Sequence, residues 1–359
     1  MRIKSFISGA VYATLVIILF NACDKCPFEV SRPVRLPAEI VMSVSTNDEA
    51  TVFYTKADVA GSVVFTGNPD LLPNTLNNNL SVVVKYGTDQ NNLDRQTGCI
   101  LQVPETGLWA TTVQFQAELD NLDDGAVYYY MATATYGSEA PMDARANSFF
   151  TLPEGPVDLD LASGNLWASA NIGANYPEET GDFYAWGDTL DPMKKSHFDW
   201  SSYKWSNGSN YSLTKYNLTA NSGDNGFVDG KDELEDEDDV VKIKLGGKWQ
   251  TPTVADFNEL IKTCAYIETK INGVSGYLFS SKTDQDNPKK KMFMPYTGYQ
   301  NGKDLINGGF IGYYWTRNLY NGYSWTSENA CNFFFRSFGI EISNSFRCNG
   351  EAIRPVLKK

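Results

Sequence analysis

The most charged stretch of the chain is DNGFVDGKDELEDEDDVV, residues 224–241, in which nine of the first sixteen residues are Asp or Glu. Such a density of carboxylates is typical of a calcium site, because Ca²⁺ takes about six to eight oxygen ligands. An EF-hand register that puts Gly230 at its sixth position puts Phe227 at its third position and Asp236 at its last. Phe227 has no side-chain oxygen, and the last position requires Glu, so the register excludes an EF-hand.

The same carboxylates fit the beginning of a helix. Acidic side chains in a first helical turn interact favourably with the helix dipole, by about 0.3–1 kcal/mol each. We therefore expect residues 235–239 to open a solvated helix, with no cofactor bound. The weaker alternative is a Ca²⁺ site formed by Asp229, Asp232 and Asp236.

Two polar segments rich in Asn, Ser and Gly carry aromatic side chains that could stack on sugar rings. The candidate ligand-binding residues are Trp200, Tyr203 and Trp205 in the first segment, and Tyr320, Tyr323 and Trp325 in the second. The alternative is that these rings cover the hydrophobic core beneath long loops.

Residue types that could support nucleophilic or metal chemistry are scarce. His197 is the only histidine, which argues against most zinc sites and against a Ser-His-Asp triad. Cys331 and Cys348 fall opposite each other if a hairpin turns near residue 339, which predicts either a disulfide or two free thiols. The two adjacent glutamates at 178–179 are the residue type that glycosidases use as a catalytic pair. The side chains of adjacent residues in a strand point in opposite directions, which argues against such a pair here. No catalytic residue is predicted.

The N-terminus reads as a targeting segment. A basic start and an apolar run over residues 6–20 precede Asn-Ala-Cys, and the run is too short to cross a bilayer. Residues 1–22 are predicted to be a signal peptide and residues 23–34 a tether. The ending resembles a bacterial lipobox, which implies lipidation of Cys23; the alternative is an ordinary signal peptide.

The net charge of −13 and a pI near 4.6 argue against nucleic acid and anionic membranes as partners. They are compatible with a glycan or a surface protein. We expect a lipid-anchored outer-membrane protein that faces either the cell surface or the periplasm.

Residues 35–152 alternate short β-branched or aromatic runs with turn residues, which predicts an all-β sandwich. The segment LDDGAVYYY has Leu122, Gly125 and Tyr128 at the spacing of a tyrosine corner. It resembles the corresponding segment of fibronectin type III domains. Residues 153–156 are predicted to be a stiff linker.

Residues 157–359 contain two predicted helices followed by strands. The first helix follows the acidic run, and Gly246 ends it. The second has apolar residues spaced along one face from Val254 to Cys264, with Thr253 as N-cap and Asp256 in the reciprocal capping position.

Several motifs of this second part occur in the order found in one family. They are LASGNLWASANIGA, YAWGDT, GGKWQTPTVADFNELI, FMPYTGY, GYYWT and AIRPV. Residues 157–359 thus resemble the Fibrobacter succinogenes major paralogous domain, which is similar to the C-type lectin-like fold. The resemblance implies two domains, the second being α+β with two helices, a short antiparallel sheet and a terminal strand that returns to the start.

Formylglycine-generating enzymes share the lectin-like fold, but they use a closely spaced cysteine pair that this sequence lacks. A short resemblance, Asp-Thr-Leu at 188–190, implies O-glycosylation of Thr189. The predicted function is non-catalytic binding of a glycan or protein, as in adhesion. The alternatives are an accessory subunit of a surface complex and, more remotely, a formylglycine-generating-type enzyme.

Overall fold

The computed structural model describes residues 33–68, 71, 79–102, 112–322 and 327–359. Cys23, Tyr323 and Trp325 lie outside these residues, as do the predicted signal peptide and most of the tether. Within the described part the fold is rich in β-structure and contains two α-helices. No helix of the described residues is long and apolar enough to cross a membrane.

The first part of the chain forms a β-sandwich of two five-stranded antiparallel sheets. One sheet has the order β1-β3-β7-β6, with β2 paired to β3; the other has the order β10-β8-β4-β5, with β9 paired to β8. The strands are β1 (Val41–Thr46), β2 (Thr51–Val52), β3 (Ala57–Thr66), β4 (Leu80–Gly87), β5 (Arg95–Gly98), β6 (Ile100–Gln102), β7 (Thr112–Leu119), β8 (Val127–Tyr136), β9 (Met142–Asp143) and β10 (Asn147–Phe150).

Alternation of apolar and polar residues makes this sandwich. In β7 every second side chain is buried, including Val113 and Phe115, and its neighbours face water. Tyr128 is also buried, and its hydroxyl accepts a hydrogen bond of 2.9 Å from the backbone N–H of Asp123. Tyr128, the residue predicted to form a tyrosine corner, therefore connects strand β8 to the turn before it.

The rest of the chain contains both helices and four small sheets, ordered β11-β21-β12, β13-β14-β15, β16-β17 and β18-β19-β20. The elements are β11 (Leu166–Trp167), α1 (Val240–Leu245), β12 (Trp249–Gln250), α2 (Val254–Thr263), β13 (Cys264–Ile271), β14 (Val274–Ser281), β15 (Lys291–Pro295), β16 (Tyr299–Asn301), β17 (Asp304–Ile306), β18 (Ile311–Leu319), β19 (Asn329–Arg336), β20 (Gly339–Phe346) and β21 (Val356–Leu357). Strand β21 pairs with β11, as expected for a terminal strand that returns to the start.

The capping box predicted for α2 is confirmed. The Thr253 hydroxyl accepts from the N–H of Asp256, and the Asp256 carboxylate accepts from the N–H of Thr253 at 2.8 Å. Phe257 and Leu260 of this helix are fully buried. The predicted apolar face is one residue too long, because Cys264 already begins strand β13.

The two parts of the chain pack against each other. A cluster of apolar side chains joins the end of the sandwich to the sheet β13-β14-β15. Its members are Phe150, Leu152, Ile271, Leu278 and Phe293. Burial of these side chains fixes the sandwich against that sheet.

Candidate functional site

The acidic run does not open a helix in the predicted way. A short 3-10 turn spans Asp236–Asp238, and α1 begins only at Val240, with Asp239 as its N-cap. The first turn of α1 itself contains no acidic residue. The expectation that residues 235–239 open a solvated helix is confirmed in part: Asp236–Asp238 form a 3-10 turn and Asp239 caps α1, but Asp238 and Asp239 are buried.

Basic side chains from elsewhere in the chain neutralise these carboxylates. Asp238 is buried and accepts hydrogen bonds from Lys204 at 3.0 Å, Lys215 at 2.6 Å and the Tyr216 hydroxyl at 2.7 Å. Burial alone would raise the pKa of Asp238, but these bonds outweigh it and lower the pKa. Hydrogen bonds from Lys215 and Lys231 likewise lower the pKa of Glu235 to about 2.

Among the described residues, the three predicted for a cation do not converge on one site. Asp229 accepts from the backbone N–H groups of Tyr216 and Asn217, both at 2.8 Å, and so fixes a turn. Asp236 pairs with Arg317 at 3.2 Å, while Asp232 is exposed. Nowhere in the described residues do three or more Asp, Glu, His or Cys side chains converge as metal ligands.

The first predicted aromatic segment serves largely as core. Tyr203 is buried; its hydroxyl donates to the Trp186 carbonyl at 2.8 Å and accepts from Arg347 Nε at 3.0 Å. Trp205 donates to the Gly187 carbonyl at 3.0 Å, and the ammonium groups of two lysines lie over its ring. Trp200 is half-buried, edge-on to Tyr203. These three rings do not form an open platform.

Of the second aromatic segment, the structure describes Tyr320 alone. It is half-buried, and its N–H donates to the Asn329 carbonyl at 3.1 Å. Thr189 is half-buried beside Asp188, whose carboxylate pairs with Lys195 at 2.6 Å. Its O-glycosylation remains a prediction.

The predicted disulfide is wrong. Strands β19 and β20 pair Cys331 with Asn344, and Cys348 lies beyond the end of β20. The turn falls at Ser337 and Phe338, so the register of the hairpin does not place Cys348 opposite Cys331. Both cysteines are free thiols, and burial raises the pKa of Cys331 to about 11 and that of Cys348 to about 12. Neither thiol is poised as a nucleophile at neutral pH.

A different group of aromatic rings is partly exposed. Tyr299 on β16, Tyr313 on β18 and Phe334 on β19 are all half-buried and lie side by side across the strands. The ring centroids of Tyr299 and Tyr313 are 4.9 Å apart, and those of Tyr313 and Phe334 are 5.2 Å apart. Tyr313 and Phe334 are direct cross-strand partners. We call these three residues the aromatic row.

Polar groups border the aromatic row. Asn307 Nδ2 lies 3.2 Å from the Tyr313 hydroxyl. The guanidinium carbon of exposed Arg336 lies 5.5 Å from the centre of the Phe334 ring, and exposed Glu341 is the cross-strand partner of Phe334 on β20. Rings edged by amide, cationic and anionic groups are typical of small-molecule and carbohydrate sites.

A buried carboxyl group contacts the strand that carries Phe334. Glu351 is completely buried, and both its oxygens lie 3.0 Å from the amide nitrogen of Asn332. Burial raises the pKa of Glu351 to about 8, although hydrogen bonds from Ser345 and Asn332 oppose the rise. With its pKa above neutrality, Glu351 is mainly protonated at pH 7.

Sequence reasoning overlooked the aromatic row, but a signal for it exists. In the run GYYWT, strand alternation buries Tyr314 and turns Tyr313 outward; in FFF, it buries Phe333 and Phe335 and turns Phe334 outward. A search for aromatic residues on the polar face of a strand would have found these two positions.

No protein-family model matches the chain, and no curated protein matches it. Among solved structures, the sensor domain of the anti-sigma factor RsgI4 from Pseudobacteroides cellulosolvens is 14% identical, with a TM-score of 0.22; the match covers 32% of this chain and 91% of that one. A redesigned β-sandwich protein is 17% identical, with a TM-score of 0.16, and covers 30% of this chain and 89% of that one.

A cycloalternan-forming enzyme from Listeria monocytogenes is 8% identical, with a TM-score of 0.22. The match covers 33% of this chain and 10% of the enzyme. These similarities carry no argument about function.

Proposed function

We propose that the protein is a non-catalytic cell-envelope lipoprotein that binds a glycan through the aromatic row. The observation that carries this proposal is the grouping of Tyr299, Tyr313 and Phe334, three half-buried rings that meet edge to face at 60° and 74° and are bordered by polar groups. Aromatic faces pack against the apolar faces of sugar rings, and bordering amides and charges hydrogen-bond the hydroxyl groups.

The proposal includes a finer description of the fold. The sandwich is fibronectin type III-like, which its two five-stranded sheets and the contact of Tyr128 with Asp123 support. The part that follows is a separate lectin-like domain, which its own core and the pairing of β21 with β11 support. In this arrangement the sandwich carries the aromatic row away from the anchored end.

Anchoring by a lipid on Cys23 is a further part of the proposal, with the protein on the outer membrane at the surface or periplasmic face. The sequence motif before Cys23 supports it. Cys23→Ser is expected to move the protein from the membrane fraction to the soluble fraction. Retention in the membrane fraction would contradict lipid anchoring without bearing on glycan binding.

Glycan binding is tested with the mature chain on a glycan array, followed by titration of the best hit. Tyr313→Ala and Phe334→Ala are expected to weaken binding at least about tenfold each, because each removes a stacking surface. Tyr211→Ala is the matched control, since this ring is 65% exposed and lies outside the row.

No binding to any glycan, together with recovery of a stable protein partner, would favour the accessory-subunit function instead. Equal weakening by all three variants would show that the row is not the site. Circular dichroism of each variant separates loss of binding from loss of fold.

A further inference from the structure

A second concave surface lies where the sandwich meets the rest of the chain. A cleft of about 770 Å³ opens between the loop and strand at residues 47–54, strand β10, and the hairpin end at residues 269–273. We call it the junction cleft. It is distinct from the aromatic row, which contributes no residue to it.

One wall of the junction cleft is the free edge of strand β10. Thr151 N–H donates to the Ala126 carbonyl, in the same register that pairs β10 with β8. In an antiparallel ladder the backbone groups of every second residue form hydrogen bonds with the partner strand. The N–H and C=O groups of Asn147 and Phe149 therefore point toward β8. Ser148 and Phe150 therefore turn their backbone N–H and C=O groups toward the cleft. Among the described residues, no strand other than β8 pairs with β10.

The floor of the cleft beside this edge is apolar. Phe150, Leu152, Ile271 and Leu278 line it and belong to one cluster. A strand added to β10 would place every second side chain against this floor and the others toward solvent. The free edge and the apolar floor are together suited to an extended peptide.

The sandwich side of the cleft is acidic. Asp48 and Glu49 are exposed at its rim, and a neighbouring cleft of about 660 Å³ shares Glu49 and adds Asp58 and Glu118. Asp58 lies directly opposite Glu118 across strands β3 and β7, a like-charge pair that costs stability unless a cation screens it.

The lysines nearby, which include Lys291 with its Nζ 4.9 Å from the centre of the Phe150 ring, cancel only part of this charge. Lys56 pairs with Glu118 at 3.1 Å and with Asp120 at 3.0 Å, and Lys270 is the one lysine or arginine that lines the junction cleft. Five carboxylates line the two clefts: Asp48, Glu49, Asp58, Glu118 and Asp120. The surplus of negative charge favours a basic occupant.

We propose that an extended basic segment of a partner protein binds in the junction cleft as an added strand on the free edge of β10. Its backbone bonds the outward groups of Ser148 and Phe150. Alternate apolar side chains pack against Phe150 and Ile271, and its lysine or arginine side chains reach Asp48 and Glu49. This partner site is independent of glycan binding.

The test uses the full chain and a fluorescein-labelled peptide of alternating Lys and Val, with a Glu and Val counterpart, in fluorescence anisotropy at physiological ionic strength. The Lys peptide is expected to bind saturably and the Glu peptide not at all. Ser148→Pro removes an outward N–H that β8 does not use, and should weaken binding at least about tenfold. Ser148→Ala keeps that N–H and should bind like the unmodified protein.

A second pair of variants tests the acidic rim. Asp48→Asn with Glu49→Gln is expected to weaken binding of the Lys peptide several-fold, whereas Glu39→Gln with Asp286→Asn, which neutralises two exposed acids outside both clefts, should not. Equal binding by Ser148→Pro and Ser148→Ala, both folded, overturns the proposal, as does equal binding of the two peptides. If Ser148→Pro fails to fold, the two double charge variants test the proposal instead. Equal affinity of these two variants for the Lys peptide also overturns the proposal.

Discussion

The side chain of Asn272 forms a pair of hydrogen bonds with the backbone of Val52, 220 residues earlier in the chain. Asn272 Oδ1 accepts from the Val52 N–H at 2.8 Å, and Nδ2 donates to the Val52 carbonyl at 2.7 Å. The amide thus occupies the free edge of β2 as a neighbouring strand would. Asn272 sits in the β13–β14 turn with φ of 50°, and Phe53 beside Val52 packs on Tyr176 at 5.1 Å.

This contact is expected to stabilise the whole chain. Asn272→Gly preserves the positive φ but removes both bonds to Val52 and a third, which Asn272 Nδ2 donates to Glu178 Oε1 at 2.6 Å, so we expect a loss of about 1–3 kcal/mol in the free energy of unfolding, measured with urea. Asn121→Gly is the control, because Asn121 also has positive φ, at 56°, and is exposed. Equal stability of the two variants would show that the contact contributes nothing.

Asp239, although it lies in an acidic run, is a buried residue that is expected to stabilise the fold. It is fully buried and accepts from Arg317 at 3.0 Å, from the Thr251 hydroxyl at 2.7 Å and from the Val241 N–H at 3.0 Å. Asp239→Asn leaves the Arg317 charge buried without this partner, and is expected to cost about 3–5 kcal/mol in urea unfolding.

The control for Asp239 is Glu237→Gln two residues earlier. Glu237 is 69% exposed and lies 3.6 Å from Lys215, so its replacement should leave stability nearly unchanged. A similar loss in both variants would mean that the net charge of the run, rather than the buried pair, sets stability.

Glu351 predicts a specific pH dependence. Its pKa is about 8 in the folded protein and near 4.5 when unfolded, so between these pH values the unfolded state releases a proton that the folded state keeps. The contribution of Glu351 to stability therefore falls as the pH rises through that window. Glu351→Gln cannot ionise, and its stability relative to the unmodified protein is expected to rise from pH 5 to pH 8 in urea unfolding.

The exposed Glu341 supplies the control for this titration. Glu341→Gln should differ from the unmodified protein by a nearly constant amount across the same pH range. A constant difference for Glu351→Gln as well would show that Glu351 is ionised in the folded state.

Calcium is expected to leave the melting temperature unchanged. Lys204 and Lys215 form ion pairs with the Asp238 carboxylate, and Arg317 forms an ion pair with Asp236. A cation would have to displace these groups, which offsets its own binding. Thermal melts with calcium and with a chelator check this; a rise of several degrees with calcium would restore the calcium site as a hypothesis.

Local signals in the sequence predicted local structure well. The strands of the sandwich follow from alternation, and the beginning of α2 follows from Thr253 and Asp256, three residues apart. The end of α2 does not, because Cys264 continues the apolar face of the helix but pairs with Ser281 as the first residue of β13. The pairing partner, rather than the periodicity, decides that boundary.

The site depended on contacts that no local pattern shows. Tyr203 is buried in a core cluster, and Arg347, 144 residues later, donates to its hydroxyl. Asp238 is neutralised by Lys204 and Lys215, both more than twenty residues earlier. The aromatic row likewise exists only once β16, β18 and β19 are side by side. Composition could show that rings and charges were abundant, but not which of them would remain open to solvent.

The bond pair between Asn272 and Val52 also sets how the protein would respond to a pulling force. For a chain held at its N-terminal end and gripped at the aromatic row, tension crosses from the sandwich to the rest of the molecule. The chain at residues 153–156 is one connection, and the two hydrogen bonds, the neighbouring ring contact of Phe53 and Tyr176, and the apolar cluster around Leu278 act in parallel with it. Residues 153–156 would extend only after these parallel contacts had ruptured, so the contacts shield that segment from tension.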